Sequence, residues 1–261
     1  MITATLTPAS AALMLTHSPA HAWRQVPENP HNYTPAPWNI DLKAMAAHWM
    51  VAQPAEFAER FTLVPGRMSG EQKLPSGRTM LSGEDYKAGE AMAERLQNSG
   101  GRCGQLIRPE LEQAPEYWQT YTAELAAGVM FEGVAHTYHA EPNLLVMHHP
   151  VREATIDQCM KVLANRLHVA TAMLTMRAMV AEMGLEAAPI LCFVMQQHRW
   201  PHDAIAVAPD DDWLQLAGHQ ADTIIETAQR CLEADAWPLA EAINVVSAPG
   251  WAKRIGNNAN D

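Results

Sequence analysis

The hydrophobic pattern changes period along the chain, and each change predicts an element. Between Gly128 and Val151, apolar, β-favouring residues fill two arms: Val129, Phe131, Val134 and Tyr138, then Leu144, Leu145 and Val146. Pro and Asn interrupt them, so the stretch predicts two strands joined by a turn at Glu141-Pro142-Asn143. A long helix-like segment follows from Glu153 to about Gly184. Pro189 opens an apolar run to Gln197, whose short length predicts a buried strand. A turn at Trp200-Pro201-His202 leads to a strand from Asp203 to Val207. Pro209-Asp210-Asp211-Asp212 then opens a last helix, its carboxylates complementing the helix dipole, which runs to about Ala234.

Upstream, a helix is expected from Pro8 to about Thr16, stopped by Ser18-Pro19. Residues 25–41 are rich in Pro, Asn and Trp and read as an ordered arm. Leu42, Met45, Ala46 and Trp49 recur at helical spacing and predict a helix from Asp41 to Val51. The polar stretch from Gly66 to Gly77 reads as a mobile loop. Ser82 and Asp85 form a capping-box pattern that starts a helix reaching about Gln97, ended by Gly100-Gly101. Residues 116–122 alternate aromatic and polar side chains and predict a strand. Without an internal repeat or a linker, the expectation is a single domain over 1–261, mostly helical over 1–100, with a core over 101–261. The order of elements predicts an α/β (α+β) fold.

Composition narrows the function. Hydrophobic residues are 48% of the 261 and charged residues 18%, which suits a packed core and not disorder. The net charge of −11 opposes indiscriminate coating of a polyanion unless cations gather in one place. Four cysteines without a C-x-x-C pair speak against a zinc ribbon or a disulfide framework. Ala20-His21-Ala22 imitates a signal-peptidase site, but no Lys or Arg precedes Arg24 and the apolar run spans only Ala11 to Leu15. No run approaches a membrane span, and a cytoplasmic location is expected.

The two arms carry His136, His139, His148 and His149. Imidazoles there suit Zn²⁺, Mn²⁺ or Fe²⁺. However, neighbours on a strand point to opposite faces, which separates His148 from His149. Met160, Met173, Met176, Met179 and Met183 lie at helical spacing and are expected to fill core. Glu110, Glu112, Glu116, Glu124 and Asp210 to Asp212 serve solubility and capping, or imitate DNA towards a partner.

Several motifs, in order along almost the whole chain, carry a resemblance. Leu15 to Trp23 (LTHSPAHAW), Arg78 to Asp85 followed by Met92, Phe193 to Gln197, Trp200-Pro201-His202, Ile205 to Val207, Asp212-Trp213-Leu214, Trp237-Pro238 and Pro249 to Ala252 form the series. It resembles the exonuclease VIII-like members of the PD-(D/E)XK nuclease superfamily, found in phage recombination modules. The resemblance implies a PD-(D/E)XK core, DNA as substrate and Mg or Mn as cofactor. Hard Mg²⁺ needs carboxylate oxygens, and a Lys steadies the attacking hydroxide.

At the positions the resemblance assigns to chemistry, this chain departs from the pattern. The Pro-Asp position falls on Ala135-His136, the Asp-x-Lys triplet on Met147-His148-His149, and the helix Gln near Ala170. Asp85-Tyr86-Lys87 spells D-x-K but lies just after a helix cap, ahead of the core strands. The expectation is therefore a catalytically degenerate exonuclease that acts by binding DNA ends or a DNA-processing protein, without a metal. The alternative is an active metal-dependent deoxyribonuclease with displaced ligands His136, Glu141, His148 and Asp157. Arg102, Arg108 and Arg177 scatter more widely; Arg152, Lys161 and Arg166 lie nearest the former catalytic positions and are the expected DNA-binding cations. A homo-oligomer is a further possibility, since such nucleases tend to form rings around DNA.

Overall fold

The computed structural model describes residues 3–32, 39–52, 54–64, 78–98, 103, 118–138, 144–165 and 168–238. The expected loop from Gly66 to Gly77, the glycines 100–101, the turn at 141–143 and the tail beyond 238 lie outside them.

A strand of three residues, β1 (Ala4–Leu6), precedes α1 (Pro8–Thr16), whose start is set by a Thr7–Ser10 capping box with Pro8 in the first turn. Ser18-Pro19 does more than stop α1. Ser18 caps a second short helix, α2 (Pro19–Trp23), accepting from His21 N–H, with Pro19 at its first position. Then come α3 (Asn39–Ala52), α4 (Pro54–Arg60), and a small parallel pair, β2 (Phe61–Val64) and β3 (Thr79–Ser82). α5 (Gly83–Asn98) starts as its motif predicts: Asp85 N–H donates to Ser82 Oγ at 3.0 Å, and that hydroxyl donates to Asp85 Oδ2 at 2.6 Å.

The main sheet is built on β5 (Val129–Tyr138). β4 (Trp118–Ala126) pairs antiparallel along one edge. Two strands share the other edge. β1 runs parallel beside the start of β5 (Ala4↔Val129 to Leu6↔Phe131), and β6 (Leu144–Val151) pairs antiparallel with its end (His136↔Val146 to Tyr138↔Leu144). The predicted hairpin is thus present but splays apart, and the N-terminus fills the gap. β6 lies parallel to β7 (Ile190–Gln197) over its full length, and β8 (Ala204–Val207) closes the sheet antiparallel to β7.

Between β6 and β7 the chain forms two helices, α6 (Ile156–Asn165) and α7 (His168–Met183), where one long segment was expected. α8 (Asp211–Glu233) starts at Asp210, which accepts from Trp213 N–H at 3.0 Å. The fold class is mixed α/β with open sheets.

Helices cover both faces at β7, so its residues from Leu191 to Met195 are apolar and buried without alternation. Leu145, Val151, Leu191, Phe193 and Met195 pack with α1, α7 and α8; Val146, Cys192 and Val194 pack with Ala47, Met92 and Leu96 of α3 and α5. Two glycines bring helices close. A Cβ on Gly133 would meet Thr175 Oγ1 of α7 at 2.5 Å, and one on Gly89 would meet Ala46 Cβ of α3 at 3.0 Å. Met176 and Met179 fill core as expected, whereas Met160 and Met183 are exposed, because the buried stripe of each helix misses them. Among the described residues no helix is long and apolar enough to cross a membrane.

Candidate functional site on strands β5 and β6

The β6–β7 pairing splits the histidines as strand alternation requires. His148 lies on the face towards α5: its Nε2 is 3.1 Å from Gln196 Oε1, and Gln196 Nε2 donates to the Met92 carbonyl of α5 at 2.9 Å. Burial holds the His148 imidazole down to about 4, outweighing the Gln196 bond, which acts the other way. It is therefore neutral near pH 7.

His149 occupies the opposite face, with Met147. Its ring centroid is 3.9 Å from that of His168, the first residue of α7, and 5.7 Å from Phe193 of β7. Met147 is half-buried against the same core, and Ala170, in the first turn of α7, is fully buried. Met147 and His149 thus share one face of β6, with His149 against the first residue of α7, the helix in which Ala170 is buried. The backbone register sets His136 opposite Val146 and Trp118, one position out of step with Met147 and His149.

This group offers a thioether, imidazole, an aromatic ring and a methyl. Hard Mg²⁺ requires oxygen ligands, so these residues do not fit the ion that the sequence resemblance implies. Among the described residues, no three His, Cys, Asp or Glu side chains stand close enough to hold a metal. Of the displaced set, the side chains of His148 and Asp157 are described. His148 is engaged with Gln196, and Asp157, in the first turn of α6, accepts from Lys161 at 2.7 Å. Glu141 lies outside the described residues, as do the side chain of His136 and all of His139.

Of the expected DNA-binding cations, Arg166 lies outside the described residues, as do Arg102 and Arg108. Lys161 spends its charge on Asp157, and Arg177 donates to Asp222 at 2.7 Å. Arg152 is exposed, directly after the last residue of β6. Asp85 of the D-x-K text is buried, accepts from the capping Ser82 hydroxyl and pairs with Lys43 at 3.6 Å, a structural role. The cysteines are free; Cys159, Cys192 and Cys231 are buried, and burial pushes the Cys159 thiol up to about 11, which makes it a poor nucleophile.

Sequence reasoning missed three side chains here. Gln196 is a buried amide inside an apolar run, a pattern that signals a hydrogen-bonding role. His168 stands two residues before Ala170, yet only the packing of α7 reveals its contact with His149. His198 reaches the carbonyl of Val151 from the β7–β8 turn, with N–H at 3.0 Å and Nδ1 at 2.7 Å.

No family model matches this chain, and no curated protein matches it significantly. A crystal structure from Eubacterium rectale named "Putative exonuclease" is similar at a TM-score of 0.59 with 12% identity, covering 94% of this chain and 90% of that one. At that identity the likeness is one of fold: the helices and open sheets described above are shared with a protein named as an exonuclease.

Proposed function

We propose that this chain is a catalytically degenerate exonuclease VIII-like protein, a single PD-(D/E)XK-type domain that acts by binding. Its targets are DNA ends or a DNA-processing partner in phage-type recombination or counter-defence. The observation that supports this most is the Met147–His149 pair. Where the resemblance calls for a carboxylate and a lysine, the chain presents a thioether and an imidazole packed against His168 and Phe193. The nuclease-like fold with such residues at its centre suits a scaffold kept for recognition.

Mn²⁺ titration during thermal unfolding tests the metal-free part of this reading. An ion that binds the folded chain and not the unfolded one raises the melting temperature, the more so the further its concentration exceeds its dissociation constant. The expected result is an unchanged melting temperature up to millimolar Mn²⁺. A rise of several degrees, lost in both His148→Ala and Asp157→Ala, would instead support the metal-dependent enzyme with displaced ligands.

A further inference from the structure

Trp200, at the tip of the β7–β8 turn, is 85% exposed. Single exposed hydrophobics are ordinary on a protein surface, so the exposure of this indole counts only together with what surrounds it. The turn that carries it is tightly held. His202 N–H donates to the Arg199 carbonyl at 2.9 Å, and Gln197 N–H to the Asp203 carbonyl at 2.8 Å. Gln196 Nε2 donates to the His202 carbonyl at 3.1 Å, and Arg95 of α5 grips Asp203 through two donors, at 3.1 and 2.5 Å. The indole thus stands in water on a rigid support.

The surroundings of this indole run against the chain's acidity. His198, two residues before Trp200, is tied to the Val151 carbonyl, which draws the turn against the end of β6 and so towards exposed Arg152. Burial holds the His198 imidazole below its ordinary range; its bond to the Val151 carbonyl opposes this, and the nearby charges of Arg199 and Lys43 lower it further. The carboxylates tied into this region, Asp203 and Asp85, are matched by Arg95 and Lys43; Glu153 follows Arg152 and is exposed. A cationic spot around one exposed indole, in a chain of net charge −11, fits a polyanion with aromatic faces.

We propose that the β7–β8 turn is a contact for single-stranded DNA, in which Trp200 stacks on an unpaired base while Arg199 and Arg152 meet the flanking phosphates. The inference rests on the DNA-binding reading above and deepens it. Stacking tolerates any base because every base has a π-face, and the arginines add charge and cation–π attraction. The spot lies just beyond His149 along β6, at the end of the strands that carry the degenerate positions.

The test is fluorescence anisotropy with a labelled oligothymidylate and a blunt duplex, in EDTA, over a salt series. Trp200→Ala is expected to weaken single-strand binding about tenfold and Trp200→Phe to restore most of it, the size expected for one stacked base. Arg199→Ala is expected to lower the salt slope by about 0.7, the share of one single-strand phosphate. Melting temperatures of the variants should match wild type, since the indole is solvent-exposed. Single-strand affinity unchanged within twofold in Trp200→Ala overturns the proposal, as does wild type that binds duplex but no single strand. That second outcome leaves the wider DNA-binding reading standing. Wild type that binds neither probe removes both.

Discussion

His148 of β6 and Gln196 of β7 share a hydrogen bond of 3.1 Å on the sheet face that packs against α5. Through its other end Gln196 holds the carbonyls of Met92 and His202, so one buried amide joins the strand holding Met147, His148 and His149, a flanking helix and the β7–β8 turn. Gln196→Met keeps the volume but removes these bonds and leaves polar atoms buried without them. The expected cost is about 1–3 kcal/mol, read as a lower urea midpoint with an unchanged m-value. An unaltered midpoint would mean that the amide network contributes nothing to stability.

The same histidine gives the chain a pH dependence. The unfolded chain takes up the proton near 6.5, while burial delays uptake in the folded state to about 4. Between these values the unfolded state binds more protons, so stability is full above pH 6.5 and declines as pH falls towards 4. The total is on the order of 3 kcal/mol. His148→Gln removes this contribution. Its stability should fall less steeply than wild type between pH 6.5 and 4 in parallel urea titrations, and identical slopes would contradict the burial of this imidazole.

Gly133 and Thr175 should be energetically coupled. Gly133→Ala puts a methyl 2.5 Å from Thr175 Oγ1 and 2.8 Å from the Phe131 ring, closer than packed atoms allow. The expected loss is about 1–3 kcal/mol. Adding Thr175→Ala removes the clashing side chain, so the double variant should be more stable than the sum of the two single losses predicts. Strict additivity in a double-mutant cycle would show that α7 does not rest on β5 at this point.

Asp85 should matter for folding and not for DNA. Its carboxylate accepts from the hydroxyl of Ser82, which caps α5, and pairs with Lys43. Asp85→Ala takes the acceptor from the Ser82 hydroxyl and from Lys43 and is expected to lose about 1–3 kcal/mol, while DNA affinity per folded molecule stays within twofold of wild type. A large loss of affinity in folded protein would place Asp85 in the binding surface after all.

What the sequence makes legible follows from length and period. α1, α5, β7 and α8 were readable because each offers many positions to one pattern or a strong cap, such as Ser82 with Asp85 or Asp210 with Trp213. β1 was not, since Ala4 to Leu6 is too short to show alternation, and its place beside β5 is a tertiary fact. The division between α6 and α7 was hidden because apolar residues continue on both sides of it, from Leu163 to Val169. At the site, the opposed faces of His148 and His149 were legible from alternation alone. The offset of His136 from Met147 and His149 was not, because register depends on how the connection at 139–143 closes, with Tyr138 meeting Leu144. Nor could spacing reveal that His149 would pack on His168, nineteen positions along the chain and on another element.

The central claim is that the scaffold is retained where Met147 and His149 stand in place of catalytic groups. Release of acid-soluble nucleotides from end-labelled linear duplex, with Mg²⁺ or Mn²⁺, tests it most directly. The prediction is no release above the level of a metal-free control, from protein that binds the same duplex in EDTA. Metal-dependent digestion that disappears in His149→Ala would contradict it.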